Sequence, residues 1–270
     1  MEQRMPDRPP PLLDNKDPSA ASVFVAPALL REARRQKGIA AADVPSVCIL
    51  EPDGDIVRRL KVSGRAQAAP EWPCYHTDLH RFTLAGRAVG IIGCAVGAPF
   101  AVLVAEELFA CGCQLLISVT SAGQITPAGK PPYFVVIDRA LRDEGTSYHY
   151  AAPSDYSEAD PHLVARAAEA LKPAGVTVLT GASWTTDAPF RETQAAIAAA
   201  RTKGILAVEM EAAALYAFAR AAGRKVLCLA HVTNTMAVAE QDFEKGEADG
   251  TIDALRVLEL LVPLESGRAT

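Results

Sequence analysis

Several short stretches of this chain carry polar groups suited to holding a small polar ligand, each placed just beyond an apolar run. In Gly54-Asp55-Ile56-Val57-Arg58 the glycine lets an anion approach the backbone and the arginine supplies a permanent charge with forked donors. Alone, these residues read equally well as an ordinary turn before a helix with a solvated Arg58-Arg59 pair. Thr120-Ser121-Ala122-Gly123 reads as a small-residue loop in which backbone N–H groups face a ligand. In Val208-Glu209-Met210-Glu211-Ala212-Ala213-Ala214-Leu215-Tyr216, Glu211 stands at a helix start, where a carboxylate accepts from two hydroxyl donors and the helix dipole keeps it ionised. The plainer account is that acids favour a first helical turn while Met210 fills core space. Thr233-Asn234 adds an amide that donates a hydrogen bond to a nitrogen or oxygen but cannot release a proton as an acid.

These groups must be positioned by the elements around them. Val47–Leu50 reads as a short buried strand running into Glu51-Pro52-Asp53-Gly54-Asp55, and Gln114–Val119 as a second one feeding the loop at 120–123. Phe82–Gly93 predicts a hairpin turning at Ala85-Gly86, and Pro99–Cys111 a helix with proline in its first turn. Further helices are expected over Pro27–Gln36, Pro161–Leu171, Phe190–Thr202, Glu209–Ala222 and Gly250–Leu261. Strands are expected over Tyr133–Ile137, Val176–Thr180, Ile205–Val208 and Lys225–His231. Alternating helices and continuously apolar strands give an α/β class with a central sheet covered on both faces, and ligands then bind beyond the strand ends.

Composition removes several classes of function. Half of the 270 residues are hydrophobic and 22% are charged, enough apolar material for a sizeable core and against wholesale disorder. Lysine and arginine total 27 against 32 acids, a net charge of −5, so no global positive field points to nucleic acid or an anionic membrane. The six cysteines have mostly apolar neighbours, which suits buried free thiols in a reducing cytosol better than a metal knuckle. None of the five histidines has metal-like spacing with another ligand, and no metal site is expected. Met1–Ala20, charged and proline-rich, is expected as a flexible leader of a cytoplasmic protein, with residues 21–270 forming one domain. Ala88–Ala105 runs without a charge, close to the length of about 18 residues that suggests a membrane span, but Gly90, Gly93, Gly97 and Pro99 interrupt it. Those glycines lack the dinucleotide-binding spacing, Pro131 replaces the Ser/Thr of a phosphate-binding loop after Gly123–Lys130, and Val119 stands where a nucleophile elbow needs glycine.

Taken together the motifs resemble those of the nucleoside phosphorylase family, which includes uridine phosphorylases, hexameric purine nucleoside phosphorylases and methylthioadenosine nucleosidases, over roughly Val47–Leu261. The resemblance implies a single-domain three-layer α/β/α sandwich with a mostly central mixed β-sheet. Val208–Tyr216 is similar to the family's ribose motif, which implies that Met210 packs on the sugar and Glu211 accepts from its 2′ and 3′ hydroxyls. Gly54–Arg58 is similar to the phosphate loop G-D-P-x-R with Ile56 in place of proline, and Ser121 matches a hydroxyl that touches phosphate. Gly93–Pro99 resembles the glycine loop leading to the helix under sugar and phosphate, with Ala95 for its second glycine. Two departures concern charge: Ser118 and Tyr75 stand where phosphorylases place arginines, the second lent by a neighbouring subunit. Each lost charge-assisted bond weakens phosphate binding by about 1.5 to 3 kcal/mol.

At the base end, Trp184–Thr193 resembles the segment that supplies an aromatic wall, with Phe190 as that wall and with Arg191 and Gln194 available out of register. Purine-specific members carry an aspartic acid where this chain has Asn234, and Glu144–Tyr150 resembles an interface segment that puts Tyr150 at the periphery. The resemblance thus implies phosphorolysis of a purine or pyrimidine nucleoside to free base and ribose 1-phosphate. Glu211, Arg58 and Asn234 would be catalytic, Gly54, Arg58 and Ser121 would hold phosphate, Met210 and Glu211 the ribose, and Phe190, Arg191 and Asn234 the base. Inorganic phosphate would be the co-substrate and no other cofactor is implied; a homo-oligomer built from dimers, up to a hexamer, is. Two alternatives stay open: a nucleosidase using water, motivated by Ser118, and a nucleoside-binding protein without catalysis. Arg81 and Arg139 are the arginines available to replace the missing phosphate contacts.

Overall fold

The continuously apolar runs of the sequence become the interior of one mixed sheet. A computed structural model describes residues 9–235 and 245–266. In chain order the elements are α1 (Ala26–Lys37), β1 (Val47–Glu51), α2 (Asp55–Val62), β2 (Gln67–Ala68), β3 (His80–Leu84), β4 (Arg87–Gly93), α3 (Ala98–Ala110), β5 (Leu115–Gln124) and β6 (Tyr133–Asp143). They continue as β7 (Tyr156–Glu158), α4 (Pro161–Ala170), β8 (Val178–Thr186), α5 (Gln194–Thr202), β9 (Ala207–Glu209), α6 (Ala212–Ala222), β10 (Lys225–Thr235) and α7 (Thr251–Leu261).

Strand β1 is central: Ile49 lies opposite Ile91 of β4 and Ile117 of β5, both in parallel pairing, and all three are fully buried. Such two-sided burial explains why β1 reads as an unbroken apolar run. Strand β10 pairs in parallel with β5 and antiparallel with β6, while β6, β8 and β9 lead back to β5, so this part of the sheet closes on itself. Helices α1, α3 and α6 pack together on the sheet, and α2, α4 and α7 form a second group. The expected hairpin is β3–β4, its turn made by Ala85 (φ 49°) and Gly86 (φ 71°). Two left-handed residues in a row match the twist of a two-residue hairpin turn. The uncharged stretch at 88–105 divides into β4, a glycine loop and α3, and among the described residues no helix is long and apolar enough to cross a membrane.

Three local expectations change. Residues 120–123 are not a loop: β5 continues through them because Gly123 pairs with Val208 of β9 and Asn234 of β10. The helix expected over Phe190–Thr202 splits into a short 3₁₀ turn at Pro189–Arg191 and α5, because the Thr193 hydroxyl accepts from Ala196 N at 3.2 Å and caps a new start. The helix expected from Glu209 begins at Ala212, and Glu209 itself ends β9. All six cysteines are free, five buried and Cys94 exposed, and no cluster of metal-binding side chains occurs among the described residues. The leader expected over 1–20 starts outside the described residues; from Pro9 it forms turns, with Lys16 Nζ 3.1 Å from His149 Nδ1.

Candidate functional site

Two acids two positions apart do different work. Glu209 Oε2 accepts from the N–H groups of Glu211 and Ala212, both at 2.7 Å, while its Oε1 accepts from the hydroxyls of Ser183 (3.0 Å) and Thr185 (2.5 Å). Thr185 Oγ1 in turn accepts from Ala213 N at 2.9 Å. Together they satisfy three of the donors that the start of α6 leaves unpaired. Glu211 is thereby free of capping duty. Its Oε1 accepts from Gly97 N at 2.7 Å, at the start of α3, while its Oε2 has no well-formed hydrogen bond although it is buried. Burial, and then the charge of Glu209, pushes the Glu211 carboxyl well above the ordinary carboxylate range, against the Gly97 N–H and the nearby Thr120 hydroxyl.

Beside this pair a cavity of about 580 Å³ opens past the ends of β5, β9 and β10, lined among others by Asp53, Ser121, Phe190, Glu192, Met210 and Asn234. A register shift between Val232 and Asn234 in the β10–β5 pairing sets Asn234 beside Gly123 at this edge. Phe190 is fully exposed on its 3₁₀ turn, an aromatic face standing at the mouth. Glu192, from the same turn, is half-buried with Oε2 unpartnered, and burial raises its carboxyl to about 7. His231, stacked on Phe134 at 4.4 Å between centroids, is held neutral by burial, which lowers it to about 4.

The β1–α2 loop is acidic. Glu51 is buried and raised to about 8 by that burial and by neighbouring Asp53, even though Asp55 N donates to it at 2.9 Å. Asp53 Oδ2 accepts from both Ser121 N (2.8 Å) and Ser121 Oγ (2.7 Å). Asp55 binds Arg58 Nη1 at 2.5 Å and Lys245 Nζ at 2.6 Å, and Lys245 also lines the cavity.

The residues singled out from sequence are therefore only partly gathered. Ser121, Met210, Phe190 and Asn234 line one cavity, and Glu211 lies behind its wall, closed from solvent. Gly54 and Arg58 line a separate one of about 440 Å³ with His76 and Cys94, so within this chain the three expected phosphate ligands do not meet. The reason is that Arg58, one turn into α2, pairs along its own helix with Asp55. Arg191 is exposed and lines neither cavity; its neighbour Glu192 turns in instead. Ser118 is buried in β5, Tyr75 is exposed and bound to Gln36, and Tyr150 donates to Glu106 at 2.5 Å outside the cavity. Arg81 is tied to Glu71 and Asp43, and Arg139 lies over Tyr156, so neither serves the site. Sequence reading missed Asp53, Glu192, Glu209 and Lys245. Glu209 had a signal, a second acid in the ribose-like string, while Lys245 is far from every motif.

In sequence and in fold the chain is similar to known proteins. A DeoD-type purine nucleoside phosphorylase of Myxococcus xanthus is 30% identical over 160 residues, 58% of this chain and 67% of that protein. A uridine phosphorylase of Thermococcus kodakarensis is 24% identical over 232 residues, covering 77% and 83% of the two chains. Among solved structures, uridine phosphorylase from Vibrio fischeri superposes with a TM-score of 0.68 at 22% identity, over 82% of this chain and 93% of that one. Purine nucleoside phosphorylase from Toxoplasma gondii, in complex with immucillin-H, gives 0.68 at 19% identity over 83% and 92%. These two show a shared α/β fold with a central mixed sheet. The sequence matches the phosphorylase superfamily over residues 46–263, which spans every strand just described from β1 to β10, and the chain therefore belongs to that superfamily.

Proposed function

We propose that this protein cleaves the N-glycosidic bond of a nucleoside by phosphorolysis. The observation that carries the reading is the Glu211 carboxylate, with one oxygen fixed by Gly97 N and the other buried without a well-formed partner, adjoining a cavity with an aromatic mouth. Hydroxyl donors of a ribose satisfy such an oxygen and favour its charged form. Because Glu211 is closed from solvent, sugar binding is accompanied by local opening at the wall that Met210 shares, a displacement an unbranched side chain makes at low cost.

In the proposed reaction a phosphate oxygen bonds to C1′ as the C1′–N bond breaks, and the electron pair leaves with the base, which takes a proton. The protein's part is positioning and stabilisation of the oxocarbenium-like sugar. Glu192 is the ionisable partner of the base that Asn234 cannot be, since a carboxyl raised to about 7 is partly protonated at neutral pH. Phosphate meets Ser121, with Lys245 also on the cavity wall. The reaction as proposed needs no metal or organic cofactor. Gly54 and Arg58 line the second cavity, and a homo-oligomer stays what the resemblance implies.

Ser118, uncharged and buried where the resemblance places an arginine, favours hydrolysis as the second reading. Base release from uridine, thymidine, inosine, adenosine and methylthioadenosine with and without phosphate decides between them. Release that requires phosphate supports the proposal, equal release without it makes the protein a hydrolase, and no release from any of them refutes both.

A further inference from the structure

We propose that Asp53 sets how tightly the site takes phosphate, by occupying the Ser121 donors itself. The inference rests on the phosphorolysis reading and adds to it a residue that the family motifs do not single out. Ser121 N and Ser121 Oγ both donate to one carboxylate oxygen, Asp53 Oδ2, at 2.8 and 2.7 Å. That N–H and O–H pair is the group that would take a phosphate oxygen. A carboxylate oxygen matches a phosphate oxygen in size and sign of charge, so the two compete for one place.

The loop holds Asp53 there. Cys94 N and Gly54 N both donate to Glu51 O at 3.1 Å, and Asp55 N donates to Glu51 Oε1 at 2.9 Å, so the residues on either side of Asp53 are fastened. Among the described residues the two cations of this loop region do not offset the competition without giving up another acid: Arg58 and Lys245 are both engaged by Asp55. Phosphate thus reaches Ser121 by displacing Asp53 and remaining close to a like charge, in a cavity wall where screening is weaker than in bulk water.

The test is calorimetric titration of the full chain with inorganic phosphate, comparing the native protein with D53N and D53G. D53N keeps the shape and removes the charge; D53G frees both donors. The expected result is a dissociation constant lower by about tenfold or more in D53G and by a smaller factor in D53N. Adding S121A to D53G removes the hydroxyl and keeps the N–H, so it should take back part of the gain. No tightening in either variant, including no detectable binding in all three proteins, overturns the inference, as does tightening left undiminished by loss of the Ser121 hydroxyl. Thermal melts check folding, and if D53G does not fold, D53N with D53S carries the comparison. Binding is read without turnover, so failure of every nucleoside to react would sink the functional proposal while the titration still decides the role of Asp53.

Discussion

Replacing Glu211 by glutamine isolates the charge that sugar hydroxyls are proposed to favour on this otherwise proton-retaining carboxyl. The amide oxygen of Gln can keep the Gly97 N–H bond now made at 2.7 Å, which turns the amide nitrogen toward the place of the unpartnered oxygen. A ribose hydroxyl then loses a charged acceptor, worth about 1.5 to 3 kcal/mol per bond, so kcat/KM on a ribonucleoside should fall about 10- to 150-fold. Stability should not fall with it, because burial and Glu209 favour the protonated form of Glu211 and the substitution puts a neutral amide in place of that neutral carboxyl. The assay is base release from a ribonucleoside and its 2′,3′-dideoxy counterpart by native and variant protein, with a thermal melt of each. The native protein should prefer the ribonucleoside, and E211Q should lose that preference while melting at the same or a higher temperature. A loss under about threefold on the ribonucleoside, or equal losses on both substrates, refutes the assignment, because a contact absent from the dideoxy substrate cannot weaken it.

Glu192→Gln should lower kcat about 100-fold and remove the decline in rate as pH rises through about 7, which a pH–rate profile of both proteins checks. Glu209→Ala strips four hydrogen bonds from the start of α6 and its neighbours and should cost on the order of 3 kcal/mol or more, measured by urea unfolding. Stability should also fall as pH rises from 6.5 to about 8.5. Glu51, raised to about 8 by burial and Asp53, and Glu211, raised by burial and Glu209, keep a proton in the fold that the unfolded chain loses near 4.5. Their stabilisation is complete below 4.5 and disappears as pH passes the folded value, on the order of 1 to 2 kcal/mol for Glu51 above pH 6.5. His231, lowered to about 4, acts in the opposite sense but only below 6.5, so a melt series over 6.5 to 8.5 reads the carboxyls, and a flat series would refute their raised values.

Much of the architecture was legible along the chain because local chemistry dictates it. Continuous apolar runs such as Val47–Leu50 suit strands buried on both faces, Pro99 suits the first turn of a helix, and Ala85-Gly86 turns a hairpin whose neighbours alternate. The string around Met210 and Glu211 likewise announced a polar group at a strand-to-helix junction. What tertiary structure decided was which polar groups face one another. That Glu209 caps α6 and so releases Glu211 depends on Thr185 and Ser183 arriving on β8 in register with β9. That residues 120–123 are strand depends on β9 and β10 pairing with them. Arg58 and Ser121 both read as phosphate ligands in the sequence, yet Asp55 draws Arg58 along its own helix and Asp53 takes both donors of Ser121. Distances across a fold between residues 68 positions apart are set by sheet register and loop closure, neither of which any local stretch of sequence contains.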